Sequence, residues 1–350
     1  MKTKILITGG AGFVGSHAAE FYANKSNEII ILDNLSRARL LAKDNLNDAY
    51  NWNYLKRFKN IRLIRADVTN QKELEQVTED VEVIIHTAAQ TAVTASLENP
   101  EADFSINAIG TFNVLEAARK SGNSPAIIYC STNKVYGNNV NGIKVLEKKT
   151  RHTFEPKFKY GIPERFPIDL CEHTPYGCSK LTGDLYVQDY ARIYGLKTGI
   201  FRMSCIYGPR QFGVEDQGWV AWFTIATVTG KPITIYGDGK QVRDILYIND
   251  LIRAFDAFLQ RKNQLSGDVF NIGGGPENTI SLLELLDMLE QMTGKRSKIN
   301  FSNWRLSDQK VYISNISKAK EKLGWSPKVR PKEGVEKLLK WVSENKHLFK

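Results

Sequence analysis

The chain has 350 residues, of which 42% are hydrophobic and 25% charged, and a formal net charge of +10. This length and composition are typical of a soluble globular protein with one large domain and a smaller lobe. The apolar run after the basic residues 1–4 is too short for a signal peptide. No run approaches the roughly 18 apolar residues of a membrane-spanning helix, so the sequence favours a cytoplasmic protein.

The cysteines and the excess of lysine do not indicate a specialised site. Cys130, Cys171, Cys178 and Cys205 show neither a CxxC spacing nor a companion histidine pattern, so neither a zinc site nor a disulfide framework is expected. The lysines concentrate late in the chain, on segments that are typical of amphipathic helices without interleaved aromatic residues. This favours a solvated face over a nucleic-acid surface.

The first functional pattern is a strand, a glycine turn and a helix. Residues 5–7 are a short apolar run, and residues 16–23 have helical character. Between them, Gly9 and Gly12 permit a tight turn and a close approach of backbone N–H groups to a pyrophosphate, while Gly15 lets the helix pack against the strand. The pattern predicts a dinucleotide site that includes Gly9, Gly12, Phe13, Val14 and Gly15.

The second predicted strand, residues 28–32, ends in Asp33. A carboxylate at this place accepts hydrogen bonds from the adenosine ribose hydroxyls and repels a 2′-phosphate, which favours NAD over NADP. Asn34 and Arg37 follow Asp33 and are predicted to bind the cofactor as well. Arg37 and Arg39 are able to hold a 2′-phosphate, so NADP stays an alternative to NAD.

Further strands are predicted at residues 61–66, 81–86, 126–130 and 198–202, with helical segments between them. This alternation predicts an α/β fold: a doubly wound parallel Rossmann sheet followed by a smaller C-terminal α/β substrate lobe. Ligands bind such sheets beyond the strand ends. Five further residues are therefore predicted to line the cofactor: Asp67, Val68, Ala88, Ala89 and Gln90.

A Tyr-x-x-x-Lys pattern places Tyr176 and Lys180 four residues apart on one face of a predicted helix. The lysine charge, with that of an oxidised nicotinamide, would stabilise the tyrosine phenolate and move its pKa from about 10 towards the neutral range of a general base. Ser131 and Thr132 follow a predicted strand, and Thr132 is expected to hydrogen-bond the sugar oxygen that Tyr176 deprotonates.

These motifs, with residues 86–89, Asn107 and residues 110–111, resemble the extended short-chain dehydrogenases/reductases in order and spacing over nearly the whole chain. The resemblance implies that Thr132, Tyr176 and Lys180 are catalytic. It also implies that Asn107 is the helix-bending asparagine, and that Asn107, Ser131, Tyr176 and Lys180 contribute to NAD binding.

Downstream, residues 237–244 with 247–250 resemble the nucleotide-sugar branch. The resemblance implies that Arg243 and Arg305 contact the substrate diphosphate and that Asp308 contacts the nucleoside ribose. A guanidinium fork suits phosphate oxygens. The remaining predicted substrate-binding residues are Thr132, Asn133, Cys205 and Arg210. Many relatives have an asparagine that contacts the sugar phosphate where this chain has Cys205. The resemblance therefore supports a substrate contact less strongly at Cys205.

The chemistry follows from what the catalytic loop lacks. Dehydratases of this family carry an Asp-Glu pair directly after the catalytic threonine, whereas this chain has Asn133 and Lys134, which disfavours elimination of water. The loop of residues 131–137 and the stretch of residues 216–220 resemble those of the CDP-paratose 2-epimerase (CDP-tyvelose epimerase) group. That likeness implies hydride abstraction at C2, a keto-sugar intermediate and return of the hydride to the opposite face.

Three alternatives stay open at this point: a UDP-hexose 4-epimerase, an NAD-consuming dehydrogenase, and a non-catalytic RNA-binding relative. The last would lack the tyrosine–lysine pair that this chain retains. An NAD-binding domain is expected over residues 1–205, with residues 243–265 returning to it, and a nucleotide-sugar-binding lobe over residues 206–350. Helices near residues 107–120 and 176–194 resemble those that pair in homodimers of the family, and a homotetramer is the alternative.

Overall fold

The computed structural model describes residues 2–41 and 49–349. The chain forms two compact units. The first unit comprises Met1–Val135, Thr174–Arg202 and Ile252–Phe270, and the second comprises Tyr136–His173, Met203–Leu251 and Asn271–Lys350.

The strands are, in chain order, β1 (Lys4–Thr8), β2 (Glu28–Asp33), β3 (Ile61–Arg65), β4 (Val83–His86), β5 (Ala126–Thr132), β6 (Val145–Glu147), β7 (His152–Phe154), β8 (Thr198–Met203), β9 (Cys205–Tyr207), β10 (Ile233–Tyr236), β11 (Val242–Tyr247), β12 (Asp268–Ile272), β13 (Thr279–Ser281), β14 (Ile299–Ser302) and β15 (Val311–Tyr312).

The α-helices are α1 (Phe13–Asn24), α2 (Arg37–Leu40), α3 (Ala49–Leu55), α4 (Gln71–Thr78), α5 (Val93–Glu98), α6 (Pro100–Phe104), α7 (Gly110–Lys120), α8 (Thr174–Tyr194), α9 (Trp219–Thr229), α10 (Ile248–Leu259), α11 (Leu282–Thr293), α12 (Ser317–Leu323) and α13 (Pro331–Glu344). A π-helix covers Ser105–Ile109, and 3₁₀ segments cover Asn133–Gly142, Pro156–Phe158 and Lys346–Phe349. No helix in the described part of the chain is long and apolar enough to cross a membrane.

The first unit contains a seven-stranded sheet in the order β12-β8-β5-β4-β1-β2-β3. The strands from β3 to β5 pair in parallel, for example Ile5 with Ile29 and with Val83. The predicted Rossmann fold is thereby confirmed. The central strands are short runs of β-branched residues buried on both faces, as expected for a sheet that helices cover on both sides.

The apolar core of the first unit lies between this sheet and its helices. Leu6, Ile84 and Ile127 come from three neighbouring strands, and Val114 and Val187 come from α7 and α8. All five side chains are fully buried or nearly so. The polar residues that follow each strand are therefore fixed on a rigid base.

The second unit is built on β11, which pairs in parallel with β9 and β15 and antiparallel with β13. A separate parallel pair joins β10 to β14, and β6 and β7 form an antiparallel hairpin. Helix α11 begins with a capping box, in which Ser281 and Glu284 satisfy each other's backbone N–H groups.

The unit boundaries differ from those expected from the sequence. Residues 136–173 and 203–205, predicted within the first domain, belong to the second unit, and the return to the first unit covers 252–270 instead of 243–265. The return to the first unit starts later because β11 (Val242–Tyr247) pairs with β9, β13 and β15 at the centre of the second unit's sheet. The insertion that carries β6 and β7 is also fixed there, because His152 N donates to Lys240 O (2.8 Å) and Arg151 pairs with Glu284.

Candidate active site

The glycine turn joins the end of β1 to the start of α1, as predicted. Gly9 has a φ of +66°, and a Cβ there would lie 2.5 Å from Ala88 N; a Cβ at Gly15 would lie 2.5 Å from Gly9 O. Gly12 is the N-cap of α1 and offers no side-chain cap, so the first N–H groups, which include those of Phe13 and Val14, are not capped by a side chain. Such an end fits a pyrophosphate.

Asp33 ends β2 beside this turn. Its Oδ2 accepts a hydrogen bond from Ala11 N (2.9 Å), and its Oδ1 accepts one from Leu35 N (2.8 Å). The carboxylate is therefore held in place by the backbone of the glycine turn and of its own strand end. This is the position expected for a group that reads the adenosine ribose.

Asp67 and Val68 follow β3 on the same side. Burial acts to raise the pKa of Asp67, but hydrogen bonds from Thr69 and Asn34 outweigh it and the pKa is lowered, with Arg39 adding to the effect. The amide of Asn34 donates to Asp67 Oδ2 (2.6 Å). The polar residues after β2 and β3 are thus joined, and Arg37 and Arg39 lie on the short helix α2 next to them.

Beyond β4, Ala88 packs against Gly9, and the following residues Ala89 and Gln90 lead to Asn107. Asn107 accepts from Gln90 N (2.9 Å) and donates to Gln90 O (3.0 Å). It is fully buried at the centre of the π-helix, a wider helical turn that lies between α6 and α7. The predicted bending role is consistent with this irregular turn.

The three predicted catalytic residues come together in the first unit. Thr132 ends β5, and Tyr176 and Lys180 lie on the first turns of α8, all largely buried. Burial raises the pKa of Tyr176 to about 12, against a hydrogen bond from Thr132 that lowers it. The hydroxyls of Thr132 and Tyr176 therefore meet.

The expected lowering of the Tyr176 pKa combines the charge of Lys180 with that of an oxidised nicotinamide, and burial of Tyr176 acts against it. The Lys180 ammonium lies 4.3 Å from the Tyr129 ring centroid, and burial lowers its own pKa to about 8, opposed by Cys130, Asp184 and Asp103. Without the charge of a nicotinamide ring, burial thus favours the protonated form of Tyr176.

Asn133 and Lys134 directly follow Thr132 in the chain. Thr132 Oγ1 donates to Asn133 Oδ1 (3.3 Å) and accepts from Lys134 N (3.2 Å). Both residues thus orient the threonine hydroxyl, and the adjacent amide side chain has no ionisable group that acts as a general acid or base at neutral pH.

Two of the predicted substrate residues, Thr132 and Asn133, lie in the first unit, and the other five lie in the second. Arg243 Nη2 donates to Asp308 Oδ1 (2.6 Å), and Arg305 Nη2 donates to Asp216 Oδ1 (3.0 Å). Because Asp308 N also donates to Arg305 O (3.2 Å), the two arginines belong to one cluster.

Cys205 and Arg210, the remaining predicted substrate residues of the second unit, lie on the segment that follows β8. Cys205 opens β9 and accepts from Trp219 Nε1 (3.4 Å). Arg210 is buried, with a φ of +61°.

The chain is similar to known nucleotide-sugar enzymes over nearly its whole length. The model of the NAD dependent epimerase/dehydratase family matches residues 5–273. CDP-paratose 2-epimerase of Salmonella typhi is 42% identical over 347 residues, which cover 97% of this chain and 99% of that protein. UDP-glucuronate 4-epimerase of Thermodesulfobacterium geofontis is 32% identical over 357 residues, covering 99% and 98%. The structure of UDP-glucuronic acid 4-epimerase from Bacillus cereus, in complex with UDP-glucuronic acid and NAD, superposes with a TM-score of 0.81 at 29% identity, covering 98% and 100%.

The chain belongs to the NAD dependent epimerase/dehydratase family. It is an NAD-dependent enzyme of the nucleotide-sugar epimerase/dehydratase superfamily. Its cofactor is NAD, and the glycine turn, the uncapped start of α1 and Asp33 fit that dinucleotide.

Sequence reasoning missed a buried ion pair beneath the catalytic residues. Asp184, one turn after Lys180 on α8, accepts from Arg202 of β8 through both oxygens (3.0 Å each) and from Ser131 Oγ (2.6 Å). The side chains are 0% and 4% exposed. Ser131, expected at the cofactor, thus donates its hydroxyl to Asp184.

A second buried carboxylate, Asp103, was also missed. It accepts from Asn107 Nδ2 and Gln90 Nε2 (3.1 Å each) and from the Ser179 hydroxyl. Burial raises its pKa, opposed by the Ser179 bond and by Lys180. The only sequence signal was its spacing four residues before Asn107, which places both on one helix face.

Proposed function

We propose that this enzyme inverts C2 of a nucleotide-diphosphate sugar, with CDP-paratose and CDP-tyvelose as the substrate pair. The observation that carries an epimerase reaction is the meeting of the Thr132 and Tyr176 hydroxyls beside Lys180. The 42% identity to a CDP-paratose 2-epimerase over 347 residues supports the choice of carbon and base.

In the proposed reaction, Thr132 hydrogen-bonds the C2 oxygen of the sugar while Tyr176 takes the hydroxyl proton. Bound NAD would supply the hydride acceptor for C2 and the hydride donor for the keto sugar, and the positive charge of its ring would favour the Tyr176 phenolate. Lys180 adds a second positive charge and would bind the nicotinamide ribose. Tyr176 then gives its proton back to the oxygen of the 2-keto sugar, which restores a hydroxyl of opposite configuration.

Inversion requires the keto sugar to present its other face before it is reduced. We propose that Arg243 and Arg305 hold the diphosphate and Asp308 the nucleoside ribose during that rotation. The side chains of Arg243 and Asp308 are 11% and 24% exposed, so they are largely buried and can still be reached. Charge-assisted, bidentate contacts suit an anchor that must not release the substrate.

We propose that the cofactor is held by the residues around the glycine turn and the strand ends of the first unit. Asp33 is the selector of NAD, because a fixed carboxylate repels a 2′-phosphate. Asn107 acts through its neighbours, since its side chain hydrogen-bonds Gln90, Asp103 and Ser179.

A 4-epimerase on a UDP-sugar is the second candidate, favoured by the similarity to UDP-glucuronate 4-epimerases at about one third identity. Assaying CDP-, UDP- and GDP-linked sugars by NMR separates the two. We expect a CDP-sugar to be inverted at C2 with no net release of NADH. Turnover of UDP-hexoses alone would contradict the substrate assignment, and stoichiometric NADH would contradict epimerisation.

We further propose a homodimer formed by α7 and α8. An exposed apolar face lies on the helices around them and includes Phe104, Ile109, Phe112, Leu185, Tyr186 and Ile193. The rings of Phe112 and Tyr186 lie 5.9 Å apart, and exposed apolar side chains grouped on neighbouring helices support an interface. Sedimentation velocity should give twice the monomer mass; a monomer at micromolar concentration would contradict the interface, and a tetramer would require a second one.

A further inference from the structure

The segment of residues 214–217 forms a tight turn in the second unit. Val214 and Gln217 exchange two backbone hydrogen bonds, of 2.9 and 3.0 Å, and form an isolated antiparallel bridge. Glu215 and Asp216 are therefore the two residues at the tip of the turn. Both tip residues are acidic, although the turn lies beside an arginine that the proposed function assigns to an anionic diphosphate.

The guanidinium of Arg305 is contacted by this turn along one edge and by the Tyr236 ring on one face. Its Nη2 donates to Asp216 Oδ1 (3.0 Å) and to Glu215 O (3.2 Å), and its Cζ lies 4.0 Å from the centroid of the Tyr236 ring. Arginine stacks readily on aromatic faces, and a planar group with an edge and a face contacted has little rotational freedom left.

Tyr236 is itself fixed by the same turn. Its hydroxyl donates to Glu215 Oε1 (3.0 Å), and its position in β10 is set by pairing with Ser302 of β14. Burial raises the pKa of Tyr236, and the hydrogen bond to Glu215 raises it further, so the phenol remains a donor. The turn, the ring and the guanidinium thus form one closed set of contacts.

We propose that Glu215 and Asp216 are positioning residues that orient Arg305 for the substrate diphosphate. This inference rests on the proposed function, which assigns Arg305 to the phosphates. An arginine already ordered in the free protein loses less side-chain freedom when the anion binds, so its hydrogen bonds contribute more to affinity. The side chains of Arg305 and Asp216 are 27% and 31% exposed, so a ligand can still reach them.

A charge effect and an orientation effect of Asp216 predict opposite changes in anion affinity when its carboxylate is removed. If Asp216 only neutralised Arg305, removing the carboxylate would strengthen the binding of an anion, because one nearby negative charge would disappear. If Asp216 orients Arg305, removing it weakens the binding. Asp216→Asn keeps an oxygen acceptor at the same place, whereas Asp216→Ala removes it, so the two variants rank the contribution of the hydrogen bond.

The probe is CDP, titrated by calorimetry into the NAD-loaded enzyme, with kcat and KM measured on the CDP-sugar. We expect Asp216→Ala to weaken CDP binding about tenfold, or about 1.4 kcal/mol, and to raise KM with kcat nearly unchanged. Asp216→Asn should fall between this variant and the wild type. Tyr236→Phe, which loses the bond to Glu215 but keeps the ring, should weaken CDP binding in the same direction.

Two reference variants separate the inference from the proposed function. Arg305→Ala should itself weaken CDP binding, and adding Asp216→Ala to it should change nothing further. Unchanged CDP binding in Arg305→Ala would show that the proposed role of Arg305 is wrong. If Arg305→Ala weakens binding but Asp216→Ala tightens it or leaves it unchanged, the positioning role is wrong. Glu277→Gln, which breaks an exposed ion pair with Arg330 in the same unit, is the matched control and should leave CDP binding unchanged.

Discussion

The charged side chains of the two units are held in different ways. In the first unit, Asp184 and Arg202 are almost fully buried and pair through two hydrogen bonds beneath the catalytic residues. In the second unit, the side chains of Arg305 and Asp216 keep 27% and 31% of their surface exposed. The buried charges fix the positions of catalytic groups in a low-dielectric interior, whereas the half-exposed charges must remain free to exchange partners with a substrate.

The largest expected effect follows from breaking the buried pair. Arg202→Met leaves Asp184 as an uncompensated buried carboxylate and should lower the free energy of unfolding by about 3–5 kcal/mol. Urea denaturation followed by circular dichroism measures it. Arg330→Met, which breaks an exposed pair, is the control and should cost about 0.5 kcal/mol or less. Equal losses in the two variants would show that burial does not distinguish the pairs.

The next effect concerns catalysis. Tyr176→Phe keeps the buried ring but removes the hydroxyl, so kcat should fall roughly 10²-fold or more while substrate and NAD affinities stay close to those of the wild type. Steady-state kinetics with calorimetry test this. Normal turnover by the variant would show that Tyr176 is not the base.

A pH-dependent loss of stability should come from His86, which is buried between the Thr8 and Thr111 hydroxyls. Burial lowers its pKa to about 3, with a further contribution from Lys180. The unfolded chain, with a histidine pKa of about 6.5, therefore binds the extra proton between pH 6.5 and 3. The stability that His86 contributes is complete above pH 6.5 and is lost as the pH falls.

Between pH 6.5 and 5 the wild type should lose about 1.6 kcal/mol more than His86→Gln, since half of the unfolded chains already carry the proton at pH 6.5 and each further pH unit adds up to about 1.4 kcal/mol. Glutamine retains an amide that can bond both hydroxyls. Parallel pH profiles of the free energy of unfolding, measured in urea, would contradict the buried neutral state of His86.

A smaller effect is expected at the cofactor. The wild type should bind NAD at least tenfold more tightly than NADP, or about 1.4 kcal/mol, because Asp33 is fixed by Ala11 N and Leu35 N. Asp33→Asn should narrow that ratio. Calorimetry with both dinucleotides tests this, and equal affinities for the wild type would remove Asp33 as the selector.

The sequence predicted the features that depend on short-range patterns. The glycine turn, Asp33 and the Tyr176–Lys180 pair each follow a strand or lie on one helix, so their spacing alone brings them to the sheet edge. The buried pair was not predictable in this way, because a charged residue on a helix is normally solvated. The burial of Asp184 depends on Arg202, which arrives on a strand 18 residues later.

The unit boundary was missed for a similar reason. The place of residues 144–171 in the second unit depends on contacts that are remote in the chain, such as that between Arg151 and Glu284. A long insertion can follow a Rossmann strand and still belong to another unit.

The central claim is that the sugar is inverted at C2 by hydride transfer, and an isotope experiment tests it most directly. Substrate deuterated at C2 should give epimerised product that keeps the label, with an isotope effect on turnover, whereas label at C4 should have none. The hydride never exchanges with water in this route. Solvent deuterium at C2 after reaction in D₂O would contradict hydride transfer, and an isotope effect from C4 with retained label would identify a 4-epimerase instead.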